Sequence, residues 1–309
     1  MTKNTQPDDS PALHFENVFK SYANVKAVNG VTFSVRRGEV FGLLGPNGAG
    51  KTSLISIVVS LEKATSGEVR IFGQDVVKFP KLAKLRTGWV PQEIINHGFF
   101  AVEEILHFHS GYYGVKAPKE RVDYLLHGLG LWEHKQKKVK QLSGGMKRRL
   151  MIAKALVHKP GLLLLDEPTA GVDVELRTRL WEFVDELRRE GISILLTTHY
   201  LEEAERLCDR VAIIHKGLIR AEGPTRGLVE EWSRKKIVLK LAADLPAPKH
   251  PDFVSTTSAE WTFLTKMTKP LGELLQELKL PLDQLKDVQV EEGNLEDVFL
   301  RLTRAEENQ

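Results

Sequence analysis

The sequence predicts an α/β fold: a parallel sheet preceded by antiparallel strands, interrupted by a helical segment and followed by a small α/β appendage. Three observations carry this. Short apolar runs at residues 40–44, 162–165, 193–197 and 211–214 are continuous rather than alternating, as strands buried on both faces are. Helical stretches, notably 176–189 and 201–208, separate the later runs, and strand–helix–strand alternation implies right-handed parallel crossovers. The run at 40–44 passes into a glycine-rich turn and then into a helical segment at 51–60.

The elements follow in order. Residues 1–12 are polar, acidic and proline-containing, lack the apolar stretch of a secretory signal, and read as a disordered tail. Residues 13–35 alternate apolar and polar, with turn signals at Ala23 and Asn24 and again at Asn29 and Gly30, which reads as antiparallel strands. Across about 88–160 apolar residues recur at three- and four-residue steps, the pattern of an inserted helical subdomain. The large domain thus spans 13–232. Beyond it, 233–309 forms a small domain with strand patterns at 236–241 and 288–290 and helices at 271–278 and 294–302. The last helix places Leu295, Val298, Phe299 and Leu302 on one face, expected to dock on a neighbouring subunit for dimer stabilisation or regulation.

Bulk properties bound the function. A chain of 309 residues holds one large domain and a smaller one, at about 100–200 residues for a typical domain. Its 42% apolar and 28% charged residues are those of an ordinary globular protein, and a net charge of +3 gives no reason to expect nucleic acid. The lone Cys208 cannot form an internal disulfide, which suits a reducing cytoplasm, and its helical surroundings read as those of a buried structural thiol. No window reaches the roughly 20 apolar residues that cross a bilayer, so any work at a membrane is done from outside it.

Gly45-Pro46-Asn47-Gly48-Ala49-Gly50-Lys51-Thr52 fits the phosphate-loop pattern G-x-x-x-x-G-K-[ST], with Ser53 next in the helix. Glycines let the backbone fold so that successive N–H groups face phosphate oxygens, and the following helix adds the positive end of its dipole. Lys51 is placed to neutralise β/γ oxygens and Thr52 to ligate Mg²⁺. Four leucines then deliver Asp166 and Glu167 to the C-terminal edge of a strand, where open α/β sheets bind ligands. Asp166 can hold Mg²⁺ and Glu167 can polarise an attacking water.

With Leu142-Ser143-Gly144-Gly145-Met146 shortly upstream of the aspartate strand, residues 13–230 resemble the ATP-binding-cassette (ABC) ATPases, whose signature reads LSGGQ. Met146 departs from the usual glutamine and leaves the Ser143 and Gly145 backbone contacts untouched. The resemblance implies a P-loop NTPase core of RecA-like type, with an antiparallel β subdomain and an inserted α-helical subdomain. It also implies ATP as substrate and Mg²⁺ as cofactor. It further assigns Gln92 to the Mg²⁺ and the attacking water, His199 to the γ-phosphate, Tyr22 to stacking on adenine and Asp173 to communication between subunits. Residues 142–146 would bind the γ-phosphate held by the opposite subunit. Closer still, LSGGMKRRLMIAKA, TAGVDVELR, TTHYLEEAE and the ending LEDVFL resemble a bacterial ABC-2-type exporter subgroup, in which a separate integral-membrane permease is the partner.

Two segments stay open. Phe99, Phe100, Phe108, Tyr112 and Tyr113 read either as helical-subdomain core or as a groove receiving a permease helix. Lys135, Lys137, Lys138, Lys140, Lys147, Arg148 and Arg149 read as a solvated face with a helix-capping contribution, with anionic headgroup contact as the alternative. One phosphate loop and one signature per chain predict a homodimer. The expected function is the ATP-hydrolysing motor of a membrane exporter at the cytoplasmic face of a bacterial inner membrane. The alternative is a soluble mechanical ATPase acting on ribosomes or DNA; relatives of that kind carry two cassettes or inserted coiled coils, and neither occurs here.

Overall fold

A computed structural model describes residues 10–94, 98–116, 119–169, 174–257 and 259–304. The chain divides into two compact units, to Glu222 and from Gly223. The division lies ahead of the composition change near Trp232.

The first unit runs β1 (Leu13–Tyr22), β2 (Val25–Val35), β3 (Val40–Leu44), α1 (Lys51–Val58), β4 (Ser66–Ile71), β5 (Gln74–Asp75), α2 (Pro80–Arg86), β6 (Thr87–Val90), α3 (Val102–Tyr112), α4 (Lys119–Gly128), α5 (Gly144–Leu156), β7 (Leu162–Asp166), α6 (Val174–Arg189), β8 (Ser193–Thr198), α7 (Leu201–Leu207), β9 (Arg210–His215) and β10 (Leu218–Pro224). β1 and β2 turn at Ala23, which takes a left-handed φ of 47°, as the turn signal there predicts. Asn29 and Gly30 do not turn the chain. They lie inside β2, where Gly30 (φ 72°) is a bulged residue: Val18 pairs with Val31 and the next residue, Phe19, with Asn29. The antiparallel sheet has the order β2-β1-β4-β5.

The second sheet, in the order β10-β9-β3-β8-β7-β6, sets the site. Its strands β9, β3, β8, β7 and β6 pair in parallel, and β3, β7 and β8 are buried along their whole length. The helical pattern expected from residue 88 gives way there to strand. Thr87–Val90 completes the backbone pairing of β7, with Val90 opposite Leu165, so the helical insertion begins only past β6. Phe15, Phe33 and Phe41 stack in series, with ring centroids 4.6 and 5.2 Å apart, and belong to one core with Leu43, Leu54 and Leu164. Cys208 is buried directly after α7.

The second unit contains α8 (Thr225–Trp232), β11 (Lys235–Leu241), β12 (Phe253–Thr257), β13 (Glu260–Thr265), α9 (Leu271–Leu278), β14 (Leu285–Glu291) and α10 (Leu295–Arg304). Its antiparallel sheet, β12-β13-β11-β14, buries Ile237, Leu239, Trp261 and Phe263 together with Leu274 of α9. α10 packs on α8, and Leu295 and Val298 are fully buried within the chain. Of the apolar face expected to meet a neighbouring subunit, the chain itself buries Leu295 and Val298 and leaves Phe299 and Leu302 half-buried. α8 ends the segment assigned to the large domain from sequence, yet its amphipathic face is what pairs with α10.

Candidate active site

Strand register brings the predicted residues together. Leu44 pairs with Thr198, Thr197 with Asp166, and Leu165 with Val90, so four strands end level with one another. Each then delivers its motif: the 45–52 loop after β3, His199 after β8, Glu167 after β7 and Gln92 after β6. A cleft of about 440 Å³ opens at this edge, lined by Tyr22, Ala27, residues 47–53, Gln92 and Glu167.

The loop has the backbone that phosphate binding requires. Gly50 caps α1 with φ 110°, and a Cβ there would stand 2.4 Å from the Ala27 carbonyl oxygen. A Cβ on Gly45 would meet the Ile214 oxygen at 2.4 Å, so both positions demand glycine for space. Lys51, 5% exposed, donates to the carbonyls of Gly45 (2.7 Å) and Pro46 (3.2 Å), and its Nζ lies 4.0 Å from Glu167 Oε1. Burial lowers the Lys51 pKa, while Glu167 and then Asp166 act to raise it. Thr52 is exposed toward the cleft it lines.

Glu167 is the hub. Gln92 Nε2 donates to its Oε2 at 3.1 Å, and His199 Nδ1 stands 3.1 Å from its Oε1. Glu167 is 4% exposed and holds a left-handed φ of 49°, rare for a side chain of this size. Its own N–H donates to the Thr197 carbonyl. Asp166 is buried and accepts from Thr197 Oγ1 at 2.5 Å; burial pushes its carboxyl pKa upward, and the Thr197 hydrogen bond opposes that. Among the described residues no three His, Cys, Asp or Glu side chains form a metal site. The donor set fits Mg²⁺ all the same, since that ion takes one or two protein oxygens alongside substrate phosphates and water.

Ser143 caps α5 by accepting from the Met146 N–H (3.3 Å); Ser143 and Gly144 are exposed while Leu142 is buried. Tyr22 sits in the cleft lining at 41% exposure, with Lys20 Nζ 4.7 Å from its ring centre. Asp173 lies outside the described residues. The basic stretch is not uniformly a solvated face. Lys137, Lys138 and Lys140 are exposed, but Arg148 is buried, because it shares a helical stripe with Met151, Ile152 and Ala155 that faces the sheet. That spacing is the signal by which sequence could have found it. Of the aromatic segment, Phe99, Phe108 and Tyr112 are exposed, whereas Tyr113 stacks on buried His158 at 3.7 Å.

The chain is similar to known proteins over most of its length. Residues 28–170 match the family model described as ABC transporter. The chain is 38% identical over 306 residues to the Nod factor export ATP-binding protein I of Paraburkholderia xenovorans strain LB400, covering 96% of this chain and 98% of that protein. It is 36% identical over 304 residues to the linearmycin resistance ATP-binding protein LnrL of Bacillus subtilis strain 168, covering 94% and 98%. The structure of cbiO1 from Clostridium perfringens, part of the ABC transporter complex cbiONQ, superimposes with a TM-score of 0.64 at 30% identity over 72% of this chain and 92% of that one. The chain belongs to the ABC transporter ATP-binding family. It is an ATPase with a P-loop NTPase fold, the ATP-binding subunit of a transporter.

Proposed function

We propose that this chain energises an ABC-2-type exporter as a homodimer, seated beneath a separate integral-membrane permease at the cytoplasmic face of a bacterial inner membrane. The observation that carries the chemistry is the convergence on Glu167 of Gln92, His199 and Lys51 at one sheet edge. The export reading is supported by relatives named for Nod factor export and linearmycin resistance, matched over nearly their whole length. No helix among the described residues is long and apolar enough to cross a membrane, which fits a permease on another chain.

In the proposed reaction Glu167 takes a proton from water as the water oxygen bonds to the γ-phosphorus and the bond to the β,γ-bridging oxygen breaks. Gln92 and His199 hold the carboxylate and orient the water, and Lys51 with the 45–50 backbone binds the phosphates. Thr52, Asp166 and Gln92 would hold Mg²⁺, which would supply neutralisation of the phosphate charge. Tyr22 stacks on adenine. The Ser143–Gly145 end of α5, exposed at Ser143 and Gly144, completes the partner's site, and Asp173 contributes at the subunit interface. The exposed Phe99, Phe108 and Tyr112, the last of which lines an apolar groove of about 650 Å³ together with Tyr113, form the docking surface for the permease.

Two measurements test this. Glu167→Gln should retain ATP, accumulate closed dimers and lose turnover by about 10²–10⁴-fold, the worth of a general base; normal turnover would remove Glu167 from that role. Detergent-solubilised membranes should yield a multi-span protein with the tagged chain, whereas ribosomal proteins or DNA in its place would favour a soluble mechanical ATPase.

A further inference from the structure

Arg148 has a task that its place in a basic run conceals. It is 4% exposed and makes five hydrogen bonds, each to a main-chain carbonyl. Nη1 donates to Pro91 (2.6 Å) and Gln92 (2.8 Å), Nη2 to Asp166 (2.7 Å) and Glu167 (2.5 Å), and Nε to Pro168 (3.2 Å). A planar guanidinium with donors in a fixed fork satisfies two chain segments at once; an ammonium with three donors at one point cannot. The two segments are those that flank the attacking water in the proposed reaction.

The backbone gives a reason for the brace. Glu167 sits at φ 49°, a region that a non-glycine residue occupies only when its surroundings impose it. Its N–H is fixed on the Thr197 carbonyl and its own carbonyl on Arg148, so the unusual conformation is pinned at both ends. Gln92 is fixed likewise: its carbonyl is held by Arg148 while its side chain reaches Glu167 Oε2. Arg148 stands on α5 only five positions after Ser143, the cap of that helix, so the brace is part of the element that begins with the signature sequence.

We propose that Arg148 is a positioning residue for ATP hydrolysis: it sets Glu167 and Gln92 against each other from beneath and ties their geometry to the orientation of the signature helix. This rests on the reading of Glu167 as general base. Because Arg148 holds backbone and does not line the nucleotide cleft, its removal should cost turnover rather than nucleotide affinity.

The test uses the full-length chain and the variants R148M, R148K, Q92A, E167Q and R148M/Q92A, with turnover and MgATP affinity measured separately. R148M should lose about 100-fold in kcat, as expected when a catalytic group moves by about 1 Å, with affinity within about threefold of the parent. R148K should fall between the two, and R148M/Q92A should be no slower than the worse single variant, since both act on one carboxylate. Parent-level turnover in R148M beside an inactive E167Q would overturn the proposal and leave the general base standing. Parent-level turnover in E167Q would instead remove the general base. If R148M does not fold, R148K decides: lost turnover at unchanged melting temperature and affinity supports the brace, and parallel losses of stability, affinity and turnover reduce Arg148 to packing.

Discussion

The sheet edge at Glu167 and the surface of α3 are opposite solutions to placing functional side chains. At the edge, carboxylates, an ammonium and a guanidinium crowd together below 6% exposure and hold one another or main-chain groups. Just ahead of α3 Phe99 is 84% exposed and at its end Tyr112 is 69% exposed, while Phe108 is partnered by Phe100 and Tyr112 rings rather than by a core. In the first region the polar groups hold one another in place, which is what electrostatic catalysis requires, because dipoles that need not reorganise cost nothing at the moment of reaction. The second leaves apolar area in water, as a surface does when a partner is to bury it.

The contrast can be broken at either end. The largest effect on nucleotide binding belongs to Lys51→Ala, which should weaken MgATP binding by about 100-fold, the scale for removing one partner from a buried charged contact. Unaltered affinity in a titration would deny the loop its role.

A middle effect concerns His158, buried beneath Tyr113, whose pKa burial pushes down to about 4. With the folded value below the ordinary 6.5, the unfolded chain takes up the proton first. Its contribution is therefore complete above pH 6.5 and is lost as pH falls toward 4, amounting to at most about 3 kcal/mol. His158→Gln should flatten that part of the acid dependence in urea unfolding at pH 7 and pH 4.5. An equal loss in parent and variant would show that His158 does not set it.

The smallest effect on the chain itself is expected from Phe99→Ser with Tyr112→Ser. Stability should stay within about 0.5 kcal/mol per exposed site, and basal ATPase should be unchanged, while recovery of the permease falls. Undiminished recovery would return the aromatic surface to a purely structural role.

Sequence exposed the site because its chemistry is local. A loop proposed to fold around phosphates is contiguous at residues 45–52, and Asp166 with Glu167 follows a buried strand, so spacing alone was enough to propose both. The fold was legible wherever burial wrote a continuous apolar run, as at β3, β7, β8 and β9. It was not legible at β6, whose four residues are a strand only because β7 offers them a pairing edge. Nor was it legible at α10, whose apolar face suits a partner subunit as well as it suits α8, against which Leu295 and Val298 are buried.

By itself the sequence determined that the chain is an ATPase and what class of sheet supports it, and it proposed which residues bear the charge of the site. These depend on residue type and short spacing, which folding does not alter. Only tertiary structure decided that Gln92, Glu167 and His199 meet, since strand register aligns residues far apart in the chain. Only it showed that one arginine in a basic run is buried under them. A cation's role depends on which carbonyls surround it, and those come from segments that only the fold brings together.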